Sequence, residues 1–281
     1  MSLVHGEVFE RLERFYDGVP RDTAHVETYG GLVLFVRDGA GWPFYARPRP
    51  GASEPPSAAD VTTVRERQRA LGVPEAFEWV HENHPELLPV ARSAGLAVLE
   101  APLMVLDPAI LPPAERLSDV PVRLADPTSP DFGRDVATQR AVAAIGFAAP
   151  GTAPGDAGPV ARDAALVALT PRRVDEERAQ AADGRRAYAL AESVDQGAVA
   201  AGMAMRVGDV AEIAGIATLP TARRRGLAAA VTAALARHLL DSGTELVFLS
   251  AGSEEVARIY LRAGFRRLGT ACIAEPAPVT A

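Results

Sequence analysis

TLPTARRRGLAAA, residues 218–230, runs three arginines into a glycine and an alanine-rich segment, and what such a cluster holds decides how the chain is read. A nucleic acid, a phosphorylated ligand and plain solvent are the three readings. The chain has 281 residues and a formal net charge of −7. A polyanion binder needs a broad basic field, so Arg223, Arg224 and Arg225 form a local feature on an acidic protein, and no nucleic-acid partner is expected. Arg supplies all the Lys+Arg charge, since the sequence has no lysine.

With 48% hydrophobic and 23% charged residues the composition is that of an ordinary globular protein, long enough for one large or two modest domains. The single cysteine, Cys272, can form no intramolecular disulfide and no thiol-rich metal site. The N-terminal stretch MSLVHGEVFERLERFYDGV has early acids and no apolar core, unlike a signal peptide. The longest apolar run, GLAAAVTAALA at residues 226–236, is too short to span a bilayer and lies between Arg225 and Arg237. A soluble cytoplasmic protein with no membrane partner is expected.

Pro/Gly-rich punctuation at residues 46–60, 107–121 and 148–159 breaks the chain, and the middle stretch, with a Pro pair and no apolar periodicity, predicts a domain boundary. Domains of residues 1–115 and 122–281 follow. In the first, AHVETYG, GLVLFVRDG and WPFYARP predict strands. A helix over residues 57–71 opens on Ser57 with Asp60 three residues on. AFEWV as a strand, PELLPVARSAG as a helix and LAVLEAPLMVLD as a strand complete it. The second domain has a strand at VPVRLA and helices around 131–145 and 173–183. Strands at RRAYALAESV, GAVAAGMAMRV and DVAEIAGIATL precede a helix over 226–240. ELVFLSAG, a helix over 254–263 and GFRRLGTACIAE end it. At a constant offset, residues 77–96 lie on 246–265 without a gap, which suggests a duplicated fold.

The arginine cluster falls between a strand and a helix. A helix start gathers unpaired N–H groups and the positive end of the dipole, so it suits an anion. Gly226 lets a ligand approach the backbone, Ala228 keeps the next turn small, and Arg223 and Arg225 add charge and donors. A pyrophosphate fits. The spacing is neither that of a P-loop nor G-x-G-x-x-G; it is [RQ]-x-x-G-x-[GA], filled by Arg223, Gly226 and Ala228.

Taken with EIAGIATLPTARRRGLAAAVTAALARHLL and VARIYLRAGF, this pattern resembles the GNAT superfamily of acyl-CoA-dependent N-acetyltransferases, over roughly residues 122–275. The resemblance implies an α+β fold, a mixed and mostly antiparallel twisted sheet flanked by helices, here as a tandem of two GNAT-like halves. It implies acetyl-CoA as cosubstrate and no metal. Ile216, Ala217 and Thr218 would hold the pantetheine arm through their backbone, and Arg223, Arg224, Arg225, Gly226, Leu227 and Ala228 the pyrophosphate. Glu212 stands where many members carry the carboxylate that accepts the amine's proton, directly or through water, and Tyr260 where a tyrosine protonates the leaving thiolate. The family's asparagine near the later helix start is replaced by Glu254, with Ser253 as a substitute. The acceptor would be a small-molecule or peptide primary amine, and the chain a monomer or homodimer. A catalytically weak acyl-CoA-binding or sensing module is the alternative.

Glu212 also reads as a surface glutamate on a strand, and Tyr260 as a packed aromatic. HENH at residues 81–84 is not a zinc motif, because its histidines are three apart rather than four. The offset sets Glu54 against Arg223, Ser57 against Gly226 and Ala91 against Tyr260. The first half is therefore expected to be a degenerate copy that binds no CoA. Acceptor specificity is expected in residues 146–173 and in that first half.

Overall fold

In the computed structural model, residues 5–39 and 43–277 are described. They divide into two compact units, one taking the described residues up to Leu103 together with those from Leu268 onward, the other being Met104–Arg267.

In the first unit, α1 (His5–Arg21) precedes β1 (Ala24–Tyr29), β2 (Leu32–Arg37) and β3 (Ala46–Pro48), then α2 (Ala58–Leu71), β4 (Phe77–Val80) and α3 (Leu87–Ser93). β5 (Leu96–Leu106) follows, and the last strand of the chain, β11 (Phe265–Pro276), returns to pair with β4 from Ala271↔Val80 to Ala274↔Phe77. β1, β2 and β3 pair antiparallel, and β3 lies parallel to β4. The core gathers Leu32, Leu34, Val61, Val64, Phe77 and Trp79 around the buried Cys272, whose thiol burial pushes up to about 12. α1 has no counterpart among the elements read from the sequence; Val8, Leu12, Phe15 and Tyr16 repeat on one face and are buried.

The second unit opens with two one-turn 3-10 segments, Pro108–Ile110 and Ala114–Arg116, and then β6 (Val122–Leu124). Three helices follow, α4 (Phe132–Ala148), α5 (Pro159–Ala164) and α6 (Pro171–Ala182). β7 (Arg186–Ser193), β8 (Gly197–Val207) and β9 (Val210–Thr218) lead to α7 (Leu227–Asp241), β10 (Leu246–Ser250) and α8 (Glu254–Arg262). β6 to β9 pair antiparallel and β10 pairs parallel to β9, giving the mixed, mostly antiparallel sheet expected. β8, the near-continuous apolar run GAVAAGMAMRV, is buried along most of its length, as a strand covered on both faces must be.

Two adjacent residues of β8 show which helix lies on which face. Above Gly202 the space a Cβ would take is filled by Ile216 and by Val231 and Leu235 of α7. Met203 packs instead against Phe132 of α4 and Tyr188. Successive strand residues point to opposite faces, so α7 and α4 sandwich the sheet. The alanines of α7, with Ala229, Ala233 and Ala236 buried, let that helix approach closely.

The duplication is visible element by element. α2 and α7 open at Ala58 and Leu227, β4 and β10 at Phe77 and Leu246, β5 and β11 at Leu96 and Phe265, each pair 169 residues apart. The expected boundary is corrected. The Pro-rich stretch 107–121 is no linker: Leu111 and Val120 are buried in the core of the second unit. The units part instead at Leu103 and Arg267, because the last strand completes the first unit's sheet.

Candidate active site

β9 is the strand around which the site is built. Its ladder with β10 runs from Val210↔Leu246 only to Glu212↔Phe248, although β9 continues to Thr218 and β10 to Ser250. The two strands fork just past Glu212. On its other edge β9 stays paired with β8, but the register slips between Ala201↔Ala217 and Met203↔Ala214, leaving one extra residue on β9. Gly215, at φ +62°, sits in this bulge. A bulge bends its strand and raises local twist, which turns β9 away from β10.

Beyond the bulge the Leu219 N–H donates to the Val199 carbonyl at 2.9 Å. Polar backbone groups alternate sides along a strand, so Ala217 also faces β8 and Thr218 presents its N–H and C=O toward the fork. Ala217 is thus corrected as a backbone contact for an extended ligand arm. Ile216 lies inside the bulge, with its side chain over Gly202.

After β9 a 3-10 turn, Pro220–Ala222, leads into the arginines. Arg224 has φ +68°, the one non-glycine residue in the left-handed region among the described residues. Gly226, at φ +78°, caps the start of α7 with no side-chain hydrogen bond. Among the described residues no acceptor meets the N–H groups of Gly226, Leu227 or Ala228, while that of Ala230 already bonds the Gly226 carbonyl at 3.0 Å. Arg224 and Arg225 are exposed beside this helix start, Arg224 lying 3.5 Å from the Thr152 hydroxyl and Arg225 3.9 Å from Asp119. Open amides, helix dipole and two guanidinium groups together suit a doubly charged anion.

Two readings of the loop change. The Arg223 guanidinium does not point at the helix start: it donates to the carbonyls of Gly146 (2.8 Å), Ala149 (2.6 Å) and Ala153 (3.0 Å). It satisfies the end of α4 and ties the following loop to the arginine loop. Gly155 and Thr221 add backbone bonds between the same two segments. Gly226, in turn, is required by the fold. A Cβ there would stand 1.9 Å from the Leu117 carbonyl oxygen. The glycine answers a neighbouring backbone inside the protein, not only the approach of a ligand.

Ser253 is likewise occupied, its hydroxyl accepting from the Val256 N–H at 3.2 Å as the cap of α8. Glu254 pairs with Arg267, and Glu255 accepts from Thr152. The substitution of Ser253 for the missing asparagine is therefore corrected to a capping role.

Glu212 is half-buried at the vertex of the fork, opposite Met205 on β8. Met203 packs on the α4 side, and Glu212, like Ala214 opposite Met203, shares that face. Tyr260 on α8 is buried with its ring edge-on to Phe265, centroids 6.4 Å apart. Burial pushes its phenol up to about 12, further above neutral pH than the ordinary tyrosine value. The packed-aromatic reading of Tyr260 thus fits its burial.

The corresponding place in the first unit is closed. Ser57 caps α2 and Asp60 accepts from the Ser57 N–H at 2.9 Å and from the Gly31 N–H at 3.2 Å, so a carboxylate already sits on that helix start. The adjoining cleft, about 550 Å³, is lined by Glu10, Glu13, Glu54 and Glu86 along with Arg14 and Arg49. His81 and His84 lie in the turn after β4, and His84 approaches Glu86 at 3.4 Å. Among the described residues no three His, Cys, Asp or Glu side chains gather as a metal set, and no helix is long and apolar enough to cross a membrane.

The bulge at Gly215 and the clash behind Gly226 are features sequence reasoning missed. A glycine interrupting an otherwise apolar strand is the signal for the first; nothing local marks the second.

Residues 188–273 match the family described as FR47-like protein. No curated protein sequence matches the chain significantly. Among solved structures, a GCN5-related N-acetyltransferase from Kribbella flavida is 23% identical, with 97% of each chain covered and a TM-score of 0.66. A GCN5-related N-acetyltransferase from Sphaerobacter thermophilus is 16% identical, covering 93% of this chain and 86% of its own, at a TM-score of 0.56. A putative GNAT-family acetyltransferase from Novosphingobium aromaticivorans is 20% identical over 90% and 91% of the two chains, at 0.50. Residues 188–273 thus carry an FR47-like region, and the chain shares its fold with these GCN5-related N-acetyltransferases.

Proposed function

We propose that the second unit transfers an acetyl group from acetyl-CoA to a primary amine by direct attack, both substrates being bound together. The observation that carries this reading is the uncapped start of α7, with free amides at Gly226, Leu227 and Ala228, set just beyond the fork of β9 and β10. The pyrophosphate of the cosubstrate meets those amides with Arg224 and Arg225 beside them. Thr218 offers its backbone to the pantetheine arm as an added strand edge. Acetyl-CoA supplies an activated acyl group as a thioester.

An amine is mostly protonated at neutral pH and attacks only after losing a proton, and the departing thiolate must gain one. Glu212 takes the first proton, directly or through water, from its place at the fork. Tyr260, a phenol that is protonated at neutral pH, gives the second. The nitrogen gains the acetyl carbon, the carbon–sulfur bond breaks, and no residue of the protein is acylated, so the buried Cys272 of the first unit has no part.

The first unit binds no CoA in this reading, because Asp60 and Glu54 stand where a pyrophosphate would need open amides and positive charge. The acceptor is a small-molecule or peptide amine. The test is to incubate the protein with acetyl-CoA and a panel of amines, including an amino acid, spermidine, kanamycin and a short peptide, while following free thiol. Folded protein that binds no CoA by calorimetry refutes the reading. Glu212→Gln and Tyr260→Phe should each lower the rate by about 10²-fold or more; unchanged rates with intact CoA binding would leave a binding module.

A further inference from the structure

The offset of 169 residues between the two units carries over to the cleft of the first. Its walls at residues 48–56 and 83–86 correspond to 217–225 and 252–255, the end of β9, the arginine loop and the turn into α8. The copy therefore keeps a cavity of about 550 Å³ at the place where the second unit is proposed to take its cosubstrate. That volume suits a small molecule. Asp60 closes the helix start of α2 to an anion, but the space beside it is open.

The cleft is also held in shape. The Arg49 N–H donates to the Gly31 carbonyl at 2.8 Å and its guanidinium to the Gly30 carbonyl at 3.1 Å. The loop lies so close that a Cβ on Gly31 would stand 2.7 Å from the Pro56 nitrogen. Pro48, Pro50 and Pro55, each fixed in φ, give the walls rigid apolar surface.

What the copy has changed is the sign of the charge. Carboxylates reach the cleft from three separate segments: Glu10 and Glu13 from α1, Glu54 from the loop after β3, and Glu86 from the turn after β4. Glu13 is committed to the wholly buried Arg47 and to Asn83 at 3.0 Å. With Arg49 bonded to Gly30, this leaves Glu10, Glu54 and Glu86 against Arg14. Among the described residues no three acidic or histidine side chains gather closely enough to hold one metal ion, so the negative charge is spread along the cleft. Spread carboxylates between proline rings match a cation whose charges are separated by methylene segments.

We propose that the first unit binds a linear polyamine in this cleft, its ammonium groups meeting Glu10, Glu54 and Glu86 and its methylene segments lying on Pro50 and Pro55. The site does not depend on the proposed acetyl transfer.

Calorimetry on the full chain at low ionic strength, without CoA and with spermidine as probe, tests it. Saturable binding is expected, weakened about tenfold or more in the double variant Glu10→Gln/Glu54→Gln and weakened as NaCl is raised to about 0.5 M. Both residues are exposed, so Tm without ligand should not change. Glu54→Arg, which gives this position the charge of Arg223 at the paired one, is the second variant and should abolish binding. Glu212→Gln in the second unit should leave binding unaltered, which separates this site from an acceptor site that takes the same amine. No saturable binding overturns the proposal, as does binding that survives both cleft variants or is lost only in Glu212→Gln. A chain that binds no CoA would refute the proposed function and leave the spermidine result standing.

Discussion

Gly226→Ala isolates what the glycine of the arginine loop is for. Two costs add. An L-residue at φ +78° sits in left-handed backbone, which costs about 1–2 kcal/mol. The new Cβ would also lie 1.9 Å from the Leu117 carbonyl oxygen, more than 1 Å inside any tolerated approach. Leu117 cannot simply withdraw: it closes the 3-10 turn Ala114–Arg116 and lies between Leu111 and Val120, which are anchored in the core. Overpacking of this kind costs a further ~1–3 kcal/mol. A loss of roughly 2–5 kcal/mol is a large fraction of the stability of an ordinary domain. Urea denaturation without ligand, compared at constant m, measures it. Gly226→Asn separates the terms, because asparagine tolerates left-handed backbone but carries the same Cβ; it should be nearly as unstable as the alanine variant. An alanine variant with an unchanged midpoint, impaired only in CoA binding, would refute the internal explanation and return Gly226 to the role of clearing space for a ligand.

Arg223→Ala removes three bonds to the carbonyls of Gly146, Ala149 and Ala153 and should cost about 1–3 kcal/mol in denaturation experiments. Arg225→Ala, at an exposed position, should leave stability unchanged and weaken CoA binding by calorimetry; the opposite assignment would reverse the roles given to the two arginines. Glu78→Gln makes stability less dependent on pH. Burial pushes the Glu78 carboxyl up to about 7, against the pull of Arg47 and with a push from Glu275. The folded state therefore holds a proton that the unfolded chain loses near pH 4.5, so the penalty is absent below that value, grows between the two pKa values, and is complete above about pH 7. The glutamine variant should gain about 1–3 kcal/mol over the unaltered chain near pH 8 and nothing near pH 4; an equal gain at both would show that charge is not the cause.

Much of the site was legible because its signals are local. An alternating apolar run ending before arginines and a glycine is enough to set a strand against a helix start, and β8, β9 and α7 lie within two residues of the spans predicted. The copy in the first half was legible for the same reason: Ser57 and Asp60 are three residues apart, and a capping box needs no distant partner. What escaped was the destination of side chains. Arg223 reads as a phosphate ligand beside other arginines, yet its acceptors lie 70–77 positions away. The Pro-rich stretch 107–121 reads as a linker because it lacks periodicity, while Leu111 and Val120, each isolated in sequence, are buried one at a time.

The sequence by itself determined the order of elements, the duplication, and the placing of an open helix start after β9, since backbone propensity, glycine and charge act over a few residues. Tertiary structure alone decided which of three neighbouring arginines are left for an anion, why position 226 admits no Cβ, and that glutamates from three separate segments line one cleft of the first unit. These depend on what the folded chain brings within hydrogen-bond or contact distance, and separation along the chain carries no information about that.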